Sequence, residues 1–182
     1  MLRIAICPGH HEKARGAVNK KHSLNEHNEA LRVVACMTPL LRGMGHEVGI
    51  FIGTLGSKIA QINAGEFDLA LDIHFNAGGG RGCEVVYVPH SRTRREQARV
   101  ISESIATYMN LKDRGPKEGW YQGGENPGTK PDAFVAQTNC PAFIPEPLFI
   151  DNDSEVEYWF VAGRHAQIAE AITLGISNSF GG

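Results

Sequence analysis

No run in this chain approaches the about 20 apolar residues that a membrane-spanning helix needs, so no stable membrane association is expected. The four cysteines (Cys7, Cys36, Cys83 and Cys140) are scattered, with no CxxC pair. That spacing argues against a zinc knuckle or a disulfide framework and for buried reduced thiols. An excess of one charge is lacking too: 18 Lys and Arg against 20 Asp and Glu give a formal net charge of −2. A balance of that kind gives no general reason to expect nucleic acid or an anionic membrane as partner. No HExxH is present, and no internal repeat. The opening MLRIAICPGHH has too short an apolar run for a secretory signal, which leads us to expect synthesis in the cytoplasm.

What is present suits one folded unit. The 182 residues, 42% hydrophobic and 21% charged, are enough for a single domain over 1–182 with a sizeable core. Residues 2–7 read as a strand, 25–42 as a helix kinked at Pro39 and stopped at Gly43, and 46–52 as a strand. A short helix over 57–64 follows. Over 67–77, Phe67, Leu69, Leu71 and Ile73 alternate with Asp68, Ala70, Asp72 and His74, the pattern of a strand with two faces. After a glycine-rich turn at 78–82, CEVVYVP is another strand. The next helix, 92–110, carries Ala98, Ile101, Ile105 and Tyr108 on one face. A last helix, 154–178, buries Val161, Ile168, Ile172 and Ile176. The Gly-, Pro- and charge-rich stretch 111–132 reads as a long loop, either functional or mobile. This alternation predicts an α/β fold, a twisted and mostly parallel sheet flanked by helices on both faces. Ligands of such sheets sit at the carboxyl ends of strands.

Polar residues at those ends are the candidates for chemistry: His10 after the first strand, Glu26 opening the first helix, His74 closing the third strand, and Glu146 in CPAFIPEPLFIDND. Two imidazoles and a carboxylate make a catalytic zinc set with a fourth position left for water. A further carboxylate can move the water's proton to a leaving nitrogen. Spacing alone does not single out this set, because eight histidines offer many triples.

The motifs narrow the choice. PGHHEKARGA, NEHNEALRVVACMTPLLRGMGHEV, DLALDIHFNAGGGRGCEVVYV and FIPEPLFIDNDSE occur in an order that resembles the zinc-dependent N-acetylmuramoyl-L-alanine amidases, the family of bacterial cell-wall amidases and phage endolysin catalytic domains. The resemblance covers nearly the whole chain. It implies that His10, Glu26 and His74 hold Zn2+ and that Glu146 is the general acid/base, with Asn76 in support. It further implies peptidoglycan as partner and the amide between the muramic acid lactyl group and L-alanine as the bond cut. A phage or prophage endolysin, released to act on the cell wall, is the expected setting, without a wall-binding module in this chain. Two alternatives stay open: a related zinc hydrolase of another peptide or acyl amide, and a non-catalytic zinc-containing module that binds peptidoglycan.

Some positions depart from the family pattern. Asp72 stands where a small residue such as Ser is usual, and can partner a ligand from behind. Pro145 and Pro147 flank Glu146, which predicts an edge or irregular strand there. The bland readings are a first-turn carboxylate for Glu26, favoured by the helix dipole, and loop or surface positions for His11, His22, His27, His46 and His90. His165, in register with Val161 and Ile168, reads as packed. Trp120 and Tyr121 can line a sugar or peptide groove or be plain loop aromatics. Arg114 and Lys117 can meet a stem-peptide carboxylate, solvated loop charge being the simpler reading.

Overall fold

The computed structural model describes residues 1–121 and 127–181. Its strands are β1 (Arg3–Pro8), β2 (Val18–Asn19), β3 (Leu24–Asn25), β4 (Glu47–Ile50), β5 (Leu69–Ile73), β6 (Cys83–Tyr87), β7 (Asp113–Glu118) and β8 (Ala142–Glu146). Six of them form one sheet in the order β4-β1-β5-β8-β6-β7, and β2 pairs with β3 separately. All neighbours in the large sheet are parallel except β6 and β8. The helices are α1 (Glu26–Gly43), α2 (Leu55–Asn63), α3 (Arg92–Met109), α4 (Ala133–Gln137), α5 (Asp153–Val156) and α6 (His165–Phe180).

Alternation along the strands sorts the side chains into two cores, one on each face. Ile4, Ile6, Leu69, Leu71, Ile73, Val85 and Phe143 face α1, α3 and α6 through Met37, Ile101 and Ile172. Ala5, Cys7, Ala70, Ala142 and Ile144 face the thinner layer of α2 and α4, through Ile59, Ile62 and Phe134. The small residues on that second face let short helices pack close. Phe67, read with Leu69 and Leu71, precedes β5 and packs on this second face instead, edge-on to Phe51 with ring centroids 5.4 Å apart.

Several sequence readings are corrected. The 111–132 stretch contributes β7, a strand at the sheet edge, where Pro116 and Gly115 are tolerated because one side of the ladder stays open. Residues 122–126 of that stretch lie outside the described residues. The segment before Glu146 is an interior strand. Pro145 accepts from the His74 amide through its carbonyl, so its missing N–H faces the β5 side, where the ladder is already parting, and the bonds to β6 survive. The last helix is broken: α5 runs into a π-helical turn, Glu157–Val161, closed by Gly163 in the left-handed region (φ 72°), before α6 begins. Val161 therefore points to solvent, 58% exposed. Tyr108 is also exposed and bonds Glu170, while its neighbour Met109 fills the core. Helix α1 passes through Pro39 to Gly43; Pro39 and Ala35 are both exposed, so the carbonyl left without a helical donor faces water. Cys7 and Cys83 are buried, but Cys36 and Cys140 are only half-buried.

Candidate active site

Strands β1, β5 and β8 run in one direction, and each delivers a polar residue at the same end of the sheet. His10 follows β1 after Gly9, His74 follows β5 directly, and Glu146 ends β8. Gly9 sits so close to the Ile73 carbonyl and the His74 ring that a side chain there would collide with both. His10 adopts a left-handed backbone, φ 59°, which turns the chain away from the strand direction. His11 then closes a tight turn with Ala14.

Glu26 comes from the other direction, as the first residue of α1. Asn25 caps the helix by accepting from the Asn28 amide, which fixes where the helix starts and so where Glu26 stands. The helix-dipole reading and a site role coexist in this residue. Its carboxylate bridges the two imidazoles: Oε2 lies 2.9 Å from His10 Nε2, and Oε1 lies 2.8 Å from His74 Nδ1. The Ala17 and Phe75 amides also donate to it. Burial pushes Glu26 up, but the hydrogen bonds from His10 and His74 outweigh it and hold the group well below the usual carboxylate range. For His74, burial opposes protonation, yet Asp72 and Glu26 prevail and raise it to about 10.

His10, Glu26 and His74 thus offer three ligand atoms within 4.8 Å of one another, the one such group among the described residues. The donor chemistry, two imidazole nitrogens and one carboxylate oxygen, suits a zinc-type ion. Gly16 (φ 75°) passes against both Glu26 and His10 so tightly that a Cβ there would strike them. The three donors line a cleft of about 490 Å³ that also holds Glu146, Asp72, Lys58 and Asn76. Glu146 is half-buried, and burial pushes its carboxyl up to about 7, with Glu84 and Glu26 adding to the rise and His74 opposing it.

Against known families, the model of the N-acetylmuramoyl-L-alanine amidases matches residues 4–178. The chain belongs to this family. A curated relative, the amidase CwlM of Bacillus licheniformis, is 24% identical over 191 residues, covering 99% of this chain and 69% of CwlM. Among solved structures, the catalytic domain of the CD27L endolysin targeting Clostridia difficile superposes with a TM-score of 0.81 at 25% identity, covering 98% of both chains. Cwp6 from Clostridium difficile gives 0.83 at 26% identity, covering 99% of this chain and 30% of that one. The protein is therefore an amidase that acts on peptidoglycan, and the cleft at the strand ends is where its chemistry is to be sought.

The other candidates take these places in the amidase. Asn76 lines the cleft and donates through Nδ2 to Glu84 (2.8 Å). Arg114 is not solvated loop charge: half-buried on β7, it pairs with Glu84 and lies over the Phe149 ring. Trp120 donates to Glu118 and meets His90 edge-on, and Tyr121 is exposed; neither lines the cleft. His165 is packed as expected, stacked on Phe160 and paired with Glu29 across α1 and α6. His27 corrects the surface reading. It is 4% exposed, and its Nδ1–H donates to the Gly9 carbonyl at 2.8 Å, which braces the turn that presents His10. His22 also departs from the surface reading: it is half-buried, against Glu157. Sequence reasoning missed Lys58, which is 1% exposed and paired with Asp72. The available signal was Asp72 itself, since a carboxylate on a buried strand face requires a cation opposite.

Proposed function

We propose that the chain hydrolyses the amide between the lactyl group of N-acetylmuramic acid and L-alanine, with Zn2+ held by His10, Glu26 and His74 and with Glu146 as general acid/base. The observation that carries this reading is the convergence of those three donors at the end of the sheet where Glu146 also stands. When bound, zinc supplies Lewis-acid polarisation of the scissile carbonyl and a lowered pKa for water. The protein's own residues do the rest. Glu146, with its carboxyl near 7, is suited to take a proton from the attacking water and return it to the departing L-alanine nitrogen. Asn76, its amide oriented by Glu84, lines the same cleft as Glu146 and is assigned a supporting role toward the substrate.

The test is release of new amino-terminal L-alanine from purified peptidoglycan. Zinc-loaded protein should release it, and Glu146→Gln should keep its zinc while losing at least about 100-fold in rate. Absence of such termini would remove the amidase bond assignment, and a fully active Glu146→Gln would remove Glu146 from the mechanism. The likeness to an endolysin catalytic domain supports a lysis role in a phage or prophage setting. Expression inside a bacterium should then lyse it only when a membrane-permeabilising partner is supplied.

A further inference from the structure

The cleft has a charged floor that the proposed chemistry does not use. Lys58 reaches out of α2 into the thinner core, and its three ammonium protons find three acceptors: Asp72 Oδ1 at 2.7 Å, Asp72 Oδ2 at 2.9 Å and the Pro8 carbonyl at 3.0 Å. Both side chains are almost fully buried, 1% and 2% exposed. Asp72 Oδ2 also lies 3.2 Å from His74 Nε2, while Nδ1 of the same ring faces Glu26. Both Asp72 oxygens accept from Lys58, so Asp72 meets His74 as an acceptor and the bond between them requires the proton on Nε2. Nδ1 donates to Glu26, itself a proposed ligand, so a metal entering beside Glu26 displaces that proton and finds its lone pair on Nδ1, while Nε2 stays committed to Asp72. The same ammonium ties the end of β1, two residues before His10, to β5, two residues before His74.

Resting on the metal site proposed above, we infer that Lys58 and Asp72 form a neutral positioning pair that sets the tautomer of His74, so that Nδ1 is its ligand atom, and locks the strand ends carrying His10 and His74 in register. A lone Asp72 would be a buried uncompensated charge, and a lone Lys58 likewise; the two are expected to function only together. Outer partners of metal-bound histidines typically govern affinity by ten- to hundredfold.

The experiment measures zinc affinity by chelator competition and folding by thermal melting, on the full chain. Lys58→Met should both lower the melting temperature and weaken zinc. Combining Lys58→Met with Asp72→Asn removes both charges but keeps an acceptor for His74 Nε2–H, and should restore affinity to within about threefold of wild type. Combining Lys58→Met with Asp72→Leu removes the acceptor and should bind zinc ten- to hundredfold more weakly. Zinc binding by that last variant equal to wild type would overturn the inference. ¹⁵N-histidine spectra of the zinc-loaded wild type give a second readout that needs no variant to fold. They should show His74 protonated at Nε2, and a proton at Nδ1 would also overturn it. A wild-type protein that holds no zinc overturns this inference and the metal site together, whereas the variant and tautomer outcomes strike the inference alone.

Discussion

His10 and His11 are adjacent in sequence and divided by one backbone angle. The positive φ of His10 sets its imidazole against Glu26 and leaves His11 to the following turn, where its Nδ1 accepts from the Lys13 amide. Left-handed backbone at a non-glycine residue costs on the order of 1 kcal/mol, and it persists here because Gly9, Gly16 and His27 surround the turn and fix it. The division has a direct test in zinc content. His10→Ala should lose stoichiometric zinc and His11→Ala should retain it, so equal zinc in both would undo the ligand assignment. The four candidate residues that meet at one end of the sheet stood out in the sequence because each lies at a strand end or helix start, where α/β sheets put ligand sites. Lys58, His27 and Glu84 were not legible. Their importance lies in long-range pairings, with Asp72, Gly9 and Arg114, that no local spacing announces.

At the scale of elements, packing sets the limits of what periodicity reveals. The C-terminal stretch has helical spacing throughout, yet the backbone inserts a π-helical turn at Glu157–Val161 and restarts after Gly163. The extra residue in that turn rotates the register. Trp159 and Phe160 become the buried pair, Phe160 meets Phe75 edge-on at 4.9 Å, and Val161 is turned outward. Phe160→Ala should therefore cost about 3–5 kcal/mol in urea unfolding, and Val161→Ala less than about 0.5 kcal/mol. A continuous helix with Val161 in its buried stripe predicts a substantial loss for Val161→Ala as well, so that pair of variants separates the two. The strands and helices with apolar alternation or a capped start were recovered to within a few residues. Strand β7 was not, because DRGPKE has no apolar face to show: it lies at the edge and is held by its ladder to β6 and by α3. The interior position of β8 was hidden by Pro145 and Pro147; only Pro145 lies within the strand, and it is tolerated because it faces the parting side of the sheet.

For the whole molecule, the cleft concentrates ionisable groups whose protonation is linked to the stability of a single cooperative unit. In protein stripped of metal, three contributions act in different pH windows. Glu26, held low by its histidine partners, lends stability above its unfolded value of 4.5 and loses it as pH falls. His74, raised from 6.5 to about 10, lends stability that is complete below 6.5 and lost as pH rises through 10. Glu146 is raised from 4.5 to about 7, so its protonated form favours the native state. That contribution is complete below about 4.5 and gone once pH has risen through 7, where the ionised carboxylate must sit among Glu84 and Glu26. Glu146→Gln is neutral at every pH and escapes this loss. The difference in unfolding free energy between Glu146→Gln and wild type should therefore grow in favour of the variant from pH 4.5 to 7 and level off above it. Its rise should be on the order of 1–3 kcal/mol, the lower part of that range reflecting the half-exposed position. Urea unfolding of both proteins at pH 5 and pH 8, each with chelator present, reads the difference directly. An offset that is the same at both pH values would show that the Glu146 carboxyl titrates as an ordinary glutamate, and would leave it without the near-neutral affinity that shuttling a proton between water and an amine requires.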